Sequence, residues 1–307
     1  MTSSAFDPAK FIGRESEQAL FDELLTFATA ARILAIKASG GNGKSLLLEK
    51  FQHRCLTRYP RIPVSLIGLD QLPDDSPLSL VQGIAEDLTS LGITFDKFES
   101  DEYEMVAANF GGIRSAAYFQ GANLSNARNT KMSATMVNTE HAGTVNVSSA
   151  KVPLTPEEEK LAHKYVIRSF FDDLHAYCAK KPVVIMLDSY DKSEPKLKEW
   201  IVKNFLERNF FSDTCESCFL ALVIAGKEVP EFHLRLPKAV CDLKLLSVNE
   251  LGRLTKSNVA ECLRNHGFES YESHVLEMFY GIIESGKPVS QLVQAIQTFS
   301  ADGRGQR

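Results

Sequence analysis

The sequence predicts an α/β fold, a five-stranded parallel sheet with helices on both faces, followed by a small all-helical region. Three observations predict it. A glycine-rich loop, Ala38-Ser39-Gly40-Gly41-Asn42-Gly43-Lys44-Ser45, turns an apolar strand-like run into a helix-like one. A second apolar run, Val183 to Leu187, ends in Asp188. Strand-like and helix-like segments alternate to about residue 246, and from there the pattern is helical throughout.

Taken in order, Phe11-Ile12-Gly13-Arg14-Glu15 leads into an amphipathic helix from Ser16 to about Ala30, with Leu20, Phe21, Leu24, Leu25 and Phe27 at helical spacing. Ile33 to Ile36 is the first buried strand, and Leu46 to Phe51 opens the helix after the loop. Pro63 to Leu69 reads as the second strand, and Leu78 to Leu91 as a helix stopped by Gly92. From about Glu99 to Val152 the chain differs in kind, and after Gly121 it is dominated by Asn, Ser, Thr, Ala and Gly. Such a stretch has little apolar surface to offset its ordering entropy. It is expected to be a mobile surface insertion, with a partner-binding or self-assembly hairpin as the alternative.

Regular structure resumes where Thr155 can cap a helix begun by Pro156, with Glu157, Glu158 and Glu159 in its first turn. That helix runs to about Cys178. Val183 to Leu187 suits a third strand covered on both faces. Trp200, Ile201, Phe205 and Leu206 mark the next helix, Phe219 to Ala225 the fourth strand turning at Gly226-Lys227, and Asp242 to Leu246 a short fifth. Ser247 to Glu250 reads as a capping box before a helix that carries Leu254, Val259 and Leu263. Two further helices, Tyr271 to Glu284 and Pro288 to Phe299, follow it. The expected organisation is a core over 1–246, a small helical domain over 247–299 and a disordered tail over 300–307.

The chemistry lies in the loop. Backbone N–H groups of Gly40, Gly41, Asn42, Gly43, Lys44 and Ser45 converge on a phosphate in such a turn, and the helix N-terminus adds a favourable dipole. Ser39 to Leu46 is therefore the candidate nucleotide-binding segment. Lys44 would neutralise β- and γ-phosphate charge, and Ser45 and Asp188 would hold Mg²⁺. Asp191 is a candidate to orient or deprotonate an attacking water, with a helix-capping role as the alternative. Ala38 stands where the strict loop pattern has glycine, but Gly40, Gly41 and Gly43 still supply freedom at positive φ. No Asn/Thr-Lys-x-Asp run occurs late in the core, so ATP rather than a guanine nucleotide is the expected ligand.

At 307 residues, 44% hydrophobic and 24% charged, the chain can bury a sizeable core. Its net charge of −5 argues against a broad nucleic-acid surface, whose affinity comes largely from Lys and Arg on phosphates. A small local basic patch stays open. No apolar run is long enough to span a membrane and Met1-Thr-Ser-Ser-Ala lacks a signal-like region, so a cytoplasmic location is expected. Cys215-Glu-Ser-Cys218 has no second CxxC or His pair nearby and reads as two structural thiols.

The ordered set Phe11-Ile-Gly-Arg-Glu15, the loop at 38–45, Asp188-Ser-Tyr-Asp191 after its strand, Ile224-Ala-Gly-Lys227 and Gly286-Lys-Pro288 resembles the STAND branch of the AAA+ ATPases over about residues 11–299. The resemblance implies an AAA+-type core, a helical lid and adenine held between them. By it, Phe11 and Ile12 would line the adenine pocket and Pro288 would contact the base. Lys227 stands where many relatives carry arginine after the fourth strand, and Arg235 lies in the region from which arginine fingers project. STAND proteins append effector and sensor domains, so a sequence ending at Arg307 is expected to be an ATPase module or to act through separate protein partners or self-assembly. The favoured function is a slowly hydrolysing ATP switch that controls such assembly, in signalling or antiviral defence. Two alternatives are a DNA-acting AAA+ ATPase of initiator or transposition-regulator type, and a non-catalytic scaffold stabilised by nucleotide.

Overall fold

The computed structural model of the chain describes residues 11, 13–111, 155–211, 218–235, 237–252, 254–268, 273–287 and 289–301. The chain divides into two compact units, 1–91 with 178–307, and 92–177.

The larger unit contains the sheet. After α1 (Glu15–Thr26), β1 (Ile33–Lys37) leads through the glycine-rich loop to α2 (Lys44–Thr57) and β2 (Val64–Gly68). α3 (Pro77–Ser90) follows, begun by Pro77 and capped where Ser76 Oγ accepts from the Ser79 amide at 3.1 Å. The sheet is completed by β3 (Val183–Asp188), β4 (Leu220–Gly226) and β5 (Leu245–Val248). All pairings are parallel and the order is β2-β3-β4-β1-β5. β1 therefore lies between β4 and β5, and α2 must cross over β4 and β3 on its way to β2. This is the α/β fold expected, a parallel five-stranded sheet with helices packed against it.

Alternation along the strands sorts the core onto two faces. Leu34 and Ile36 of β1, Val184 and Met186 of β3, and Val223 and Ala225 of β4 share one cluster with Phe21 and Leu24 of α1 and Leu47, Leu48 and Phe51 of α2. Phe21 and Phe51 stack there, ring centroids 4.0 Å apart. The intervening residues Ile33, Ile185, Leu187, Leu222 and Ile224 are equally buried on the other face. α3 lies so close to β2 that a Cβ at Gly83 would sit 3.2 Å from Ile67 Cδ1. Burial of each such side chain contributes about 1.5–3 kcal/mol, so the two faces dominate the stability of this unit.

In the second unit, α4 (Asp96–Gly111) and α5 (Pro156–Cys178) are joined by stacking of Phe95 on Phe170 at 5.4 Å and an edge contact of Phe98 with Phe170 at 5.7 Å. Asp173 caps α4 by accepting from the amides of Lys97 (2.9 Å) and Phe98 (3.1 Å). α5 begins as the sequence reads: the Glu158 amide donates to Thr155 Oγ1, and Thr155 donates back to the Glu158 carboxylate. The early part of the expected insertion is thus helical to Gly111, and the rest lies outside the described residues.

Beyond β3, α6 (Pro195–Trp200) passes into a π-helical stretch (Ile201–Leu206) and α7 (Glu207–Phe210), a local widening that composition did not signal. Short helices α8 (Phe232–Arg235) and α9 (Lys238–Lys244) precede β5. α10 (Lys256–Asn265), α11 (Ser273–Glu284) and α12 (Val289–Ala301) then enclose a separate cluster built on Leu263, Phe279, Leu292 and Ile296.

Three local expectations are corrected. α1 stops at Thr26 rather than near Ala30, because Phe27 takes a left-handed φ of 51°. β5 occupies Leu245–Val248 rather than 242–246, since residues 238–244 are helical and Ile33–Ile36 pair with 245–248. Ser247 is consequently a strand residue and caps nothing. The first lid helix begins at Lys256, where Thr255 and Asn258 make the reciprocal capping box.

Candidate functional site

The loop leaves β1 at the carboxyl end of the sheet, tied down by the Ala38 amide donating to Gly226 O at 3.1 Å. Gly41 and Gly43 adopt φ of 78° and 84°, which bends the chain back into α2. The Leu47 amide donates to Gly43 O at 2.9 Å, so the helix begins within the loop motif, with Gly43 as its N-cap.

Lys44 and Ser45 open α2. Ser45 Oγ donates to Asp188 Oδ2 at 2.5 Å, although 143 positions separate the two in sequence. Asp188 is 9% exposed, and its Oδ1 accepts from the Ser189 amide at 2.7 Å. Lys44 Nζ donates to Ala38 O (2.6 Å) and Ser39 O (2.9 Å), folding back over the loop. Burial depresses the Lys44 ammonium pKa, while Asp191 and Asp188 pull it up and Lys227 and Lys192 push it down. An anion entering here would favour the charged form. Glu49, one turn beyond Ser45, has its carboxyl raised by burial and by the Asp188 charge.

Asp191 sits in the short 3₁₀ turn after β3 (Tyr190–Lys192). Its Oδ1 accepts from the Lys227 amide at 2.6 Å, and its carbonyl accepts from Lys198 Nζ at 2.8 Å. It thus links the end of β3 to the end of β4. Gly226 is the closest point of this junction: a Cβ there would lie 2.4 Å from Glu228 O and 2.9 Å from Asp191 Oδ1. Gly226→Ala is expected to cost about 1–3 kcal/mol through this overpacking and to displace Asp191. A thermal unfolding midpoint unchanged from wild type would refute that.

These groups line a cavity of about 430 Å³ shared by Gly40, Gly41, Lys44, Ser45, Asp188 and Asp191. Lys192 and Lys227 add positive charge. Lys192 is also ion-paired with Asp70 after β2, and that hydrogen bond, first among several causes, holds the Asp70 carboxyl below its ordinary value. The C-terminal helical region contributes the face of α12 that carries Ser290, Val293, Gln294 and Gln297. The Ser290 amide donates to Gly41 O at 3.2 Å.

The remaining sequence candidates divide between described and undescribed residues. The Phe11 ring packs against the α1–α2 core cluster with Lys50 Nζ 5.5 Å from its centroid, and it is not among the cavity's lining residues. Ile12 and Pro288 fall outside the described residues, as does the side chain of Arg235, whose backbone ends α8. Asn42 lies in the loop, with its carbonyl accepting from Arg14 Nη2 at 2.9 Å. Ser39 and Lys227 also border an open groove with Lys37 and Glu250. Leu46 lines the main cavity and is 39% exposed. Sequence reasoning missed Lys192 and the α12 glutamines; a cation four residues after the strand-end aspartate was the available signal for the first.

Among the described residues no group of three His, Cys, Asp or Glu side chains is placed to hold a metal, and no helix is long and apolar enough to cross a membrane. Cys218 is buried and Cys215 lies outside the described residues.

No protein-family model and no curated protein matches the sequence. Among solved structures, 96% of the chain aligns with 64% of the replication initiator DnaA bound to AMPPCP and single-stranded DNA, at 11% identity and a TM-score of 0.44. A second alignment joins 99% of the chain to 68% of Cdc6p from Pyrobaculum aerophilum, at 13% identity and a TM-score of 0.49. The chain therefore spans less than two thirds of the first. Scores at this level carry no weight for function, and the fold assignment rests on strand order and the loop between β1 and α2.

Proposed function

We infer that this chain is an ATP-binding switch of the STAND type within the AAA+ ATPases, hydrolysing slowly and controlling assembly with protein partners or further copies of itself. The observation that carries the reading is the convergence of Lys44, Ser45 and Asp188 on one cavity, with Ser45 Oγ and Asp188 Oδ2 2.5 Å apart. Loop amides from Gly40 to Ser45 and the Lys44 ammonium are the donors a triphosphate requires. The all-oxygen pair Ser45 and Asp188 suits Mg²⁺, a hard cation that keeps several waters. When bound, the ion neutralises charge on the β- and γ-phosphate oxygens.

Asp191 is assigned to position the attacking water, because its carboxylate lines the cavity while one oxygen is held by the Lys227 amide. Lys192 and Lys227 add charge beside the terminal phosphate. Ile12 and Pro288 are kept as the proposed base contacts and Arg235 as the arginine offered to a neighbouring copy, whereas the Phe11 ring packs on the α1–α2 core cluster. The α12 face on the cavity gives nucleotide a direct route to the lid, which is why a switch is favoured over a structural cofactor.

Light scattering with ATP, ADP and no nucleotide tests the reading. An increase in mass with ATP, absent in Lys44→Ala, is the expected result. Equal mass in all states, with nucleotide shown bound by calorimetry, would remove the self-assembly part and leave a module that acts on a separate partner.

A further inference from the structure

Arg14 occupies an unusual seat. It has a left-handed φ of 65° directly after Gly13 at φ 69°, and it stands immediately before α1. A Cβ at Gly13 would lie 3.2 Å from both Asn258 Cγ and Leu254 Cδ2, so the turn is pressed against the start of the lid. Gln18 Nε2 donates to Gly13 O at 2.8 Å and fixes the turn from the α1 side.

The Arg14 side chain is buried, with the residue 9% exposed, and its fork is filled by backbone carbonyls. Nη2 donates to Asn42 O in the phosphate loop at 2.9 Å, and Nη1 donates to Gly252 O. Glu17 lies 4.0 Å from Nη1 and balances the charge. Gly252 belongs to the connection between β5 and α10, the point at which the lid leaves the core. One guanidinium thus holds the phosphate loop and the root of the lid together. A second tie runs from the preceding loop carbonyl, Gly41 O, to the Ser290 amide at the start of α12.

Peptide geometry gives this arrangement a consequence. In a planar trans peptide the C=O and the following N–H point opposite ways. Gly41 C=O shares its plane with Asn42 N–H, and Asn42 C=O shares its plane with Gly43 N–H. Both amides belong to the set that would grip a phosphate. An anion on those N–H groups polarises the two planes and strengthens their carbonyls as acceptors, and donors on the carbonyls do the reverse.

We propose that Arg14 is a positioning residue that couples phosphate occupancy of the loop to the lid, by holding Asn42 O and Gly252 O in one guanidinium fork. The role rests on the nucleotide reading given above. Arginine is required because its planar fork reaches two acceptors at fixed angle, whereas a lysine ammonium acts as a point charge.

The test is hydrogen exchange on the whole chain, with and without ATP and Mg²⁺, for wild type, Arg14→Lys and Arg14→Gln. In wild type, ATP should slow exchange both in the loop over 40–45 and in the lid helix over 256–265. In the variants the loop should still gain protection, the lid gain should be lost, and ATP affinity should fall about tenfold. Equal lid protection in wild type and Arg14→Lys would overturn the proposal. If the variants fail to fold, carbonyl ¹³C shifts of Asn42 and Gly252 in wild type decide it. Both shifts moving with one apparent Kd is the expected result, and movement of Asn42 alone refutes the coupling. Absence of any ATP binding by calorimetry would instead reject the nucleotide reading itself.

Discussion

Replacing Lys44 with alanine should weaken ATP binding by about 3 kcal/mol, roughly 100-fold in Kd, without unfolding the chain. Two features set the size of the effect. The ammonium is partly desolvated at the mouth of α2, so its attraction for phosphate is screened less than at an open surface. Among the described residues its hydrogen bonds run to Ala38 O and Ser39 O, two carbonyls of its own loop. Those contacts can be exchanged for phosphate oxygens through rotation of the side chain. Ala38 and Ser39 line an open groove, so water can satisfy their carbonyls once the ammonium is removed. Calorimetry on the variant, with circular dichroism to verify folding, measures this. Affinity within threefold of wild type would mean that the loop binds no phosphate.

Asp188→Asn should leave nucleotide binding largely intact in the absence of metal and remove its dependence on Mg²⁺. Hydrolysis should fall by about 10²–10³-fold, the range for loss of one electrostatic contact to a developing charge. Asparagine keeps the shape of the aspartate. Its Oδ1 can still accept from the Ser45 hydroxyl or from the Ser189 amide, the two hydrogen bonds that hold Asp188 at the end of β3. A change in stability is therefore expected to be small, while the negative charge needed beside a divalent cation is gone. A phosphate-release assay across a Mg²⁺ titration separates the two effects. Wild-type rate and wild-type metal dependence in the variant would remove Asp188 from the site.

Much of this site was legible because its parts are local. Positive-φ glycines, a Lys-Ser pair and the following apolar helix are read together within eight residues, and each has a physical reason to be there. The buried strand ending in Asp188 was equally plain, since an uninterrupted apolar run suits a strand covered on both faces. Legibility failed where two local signals compete. Ser247 to Glu250 has the composition of a cap, but hydrogen bonding of the edge strand to β1 holds Ser247 and Val248, and the cap falls at Thr255 instead. The π-helical stretch 201–206 and the left-handed Phe27 have no composition that announces them.

By itself the sequence determined the kinds of element and the residues of the loop: a glycine-rich turn ending in Lys44-Ser45, a strand-end carboxylate and an acidic composition. Periodicity and residue type suffice for these, since they depend on neighbours within one or two turns. Only the tertiary structure decided who meets whom. The order β2-β3-β4-β1-β5 sends α2 across two intervening strands and brings Ser45 to Asp188, 143 positions away. The same folding sets Arg14 between Asn42 and Gly252 and lays α12 beside the loop. These meetings depend on which hydrophobic faces bury one another, a choice made by the whole core at once and written in no single segment.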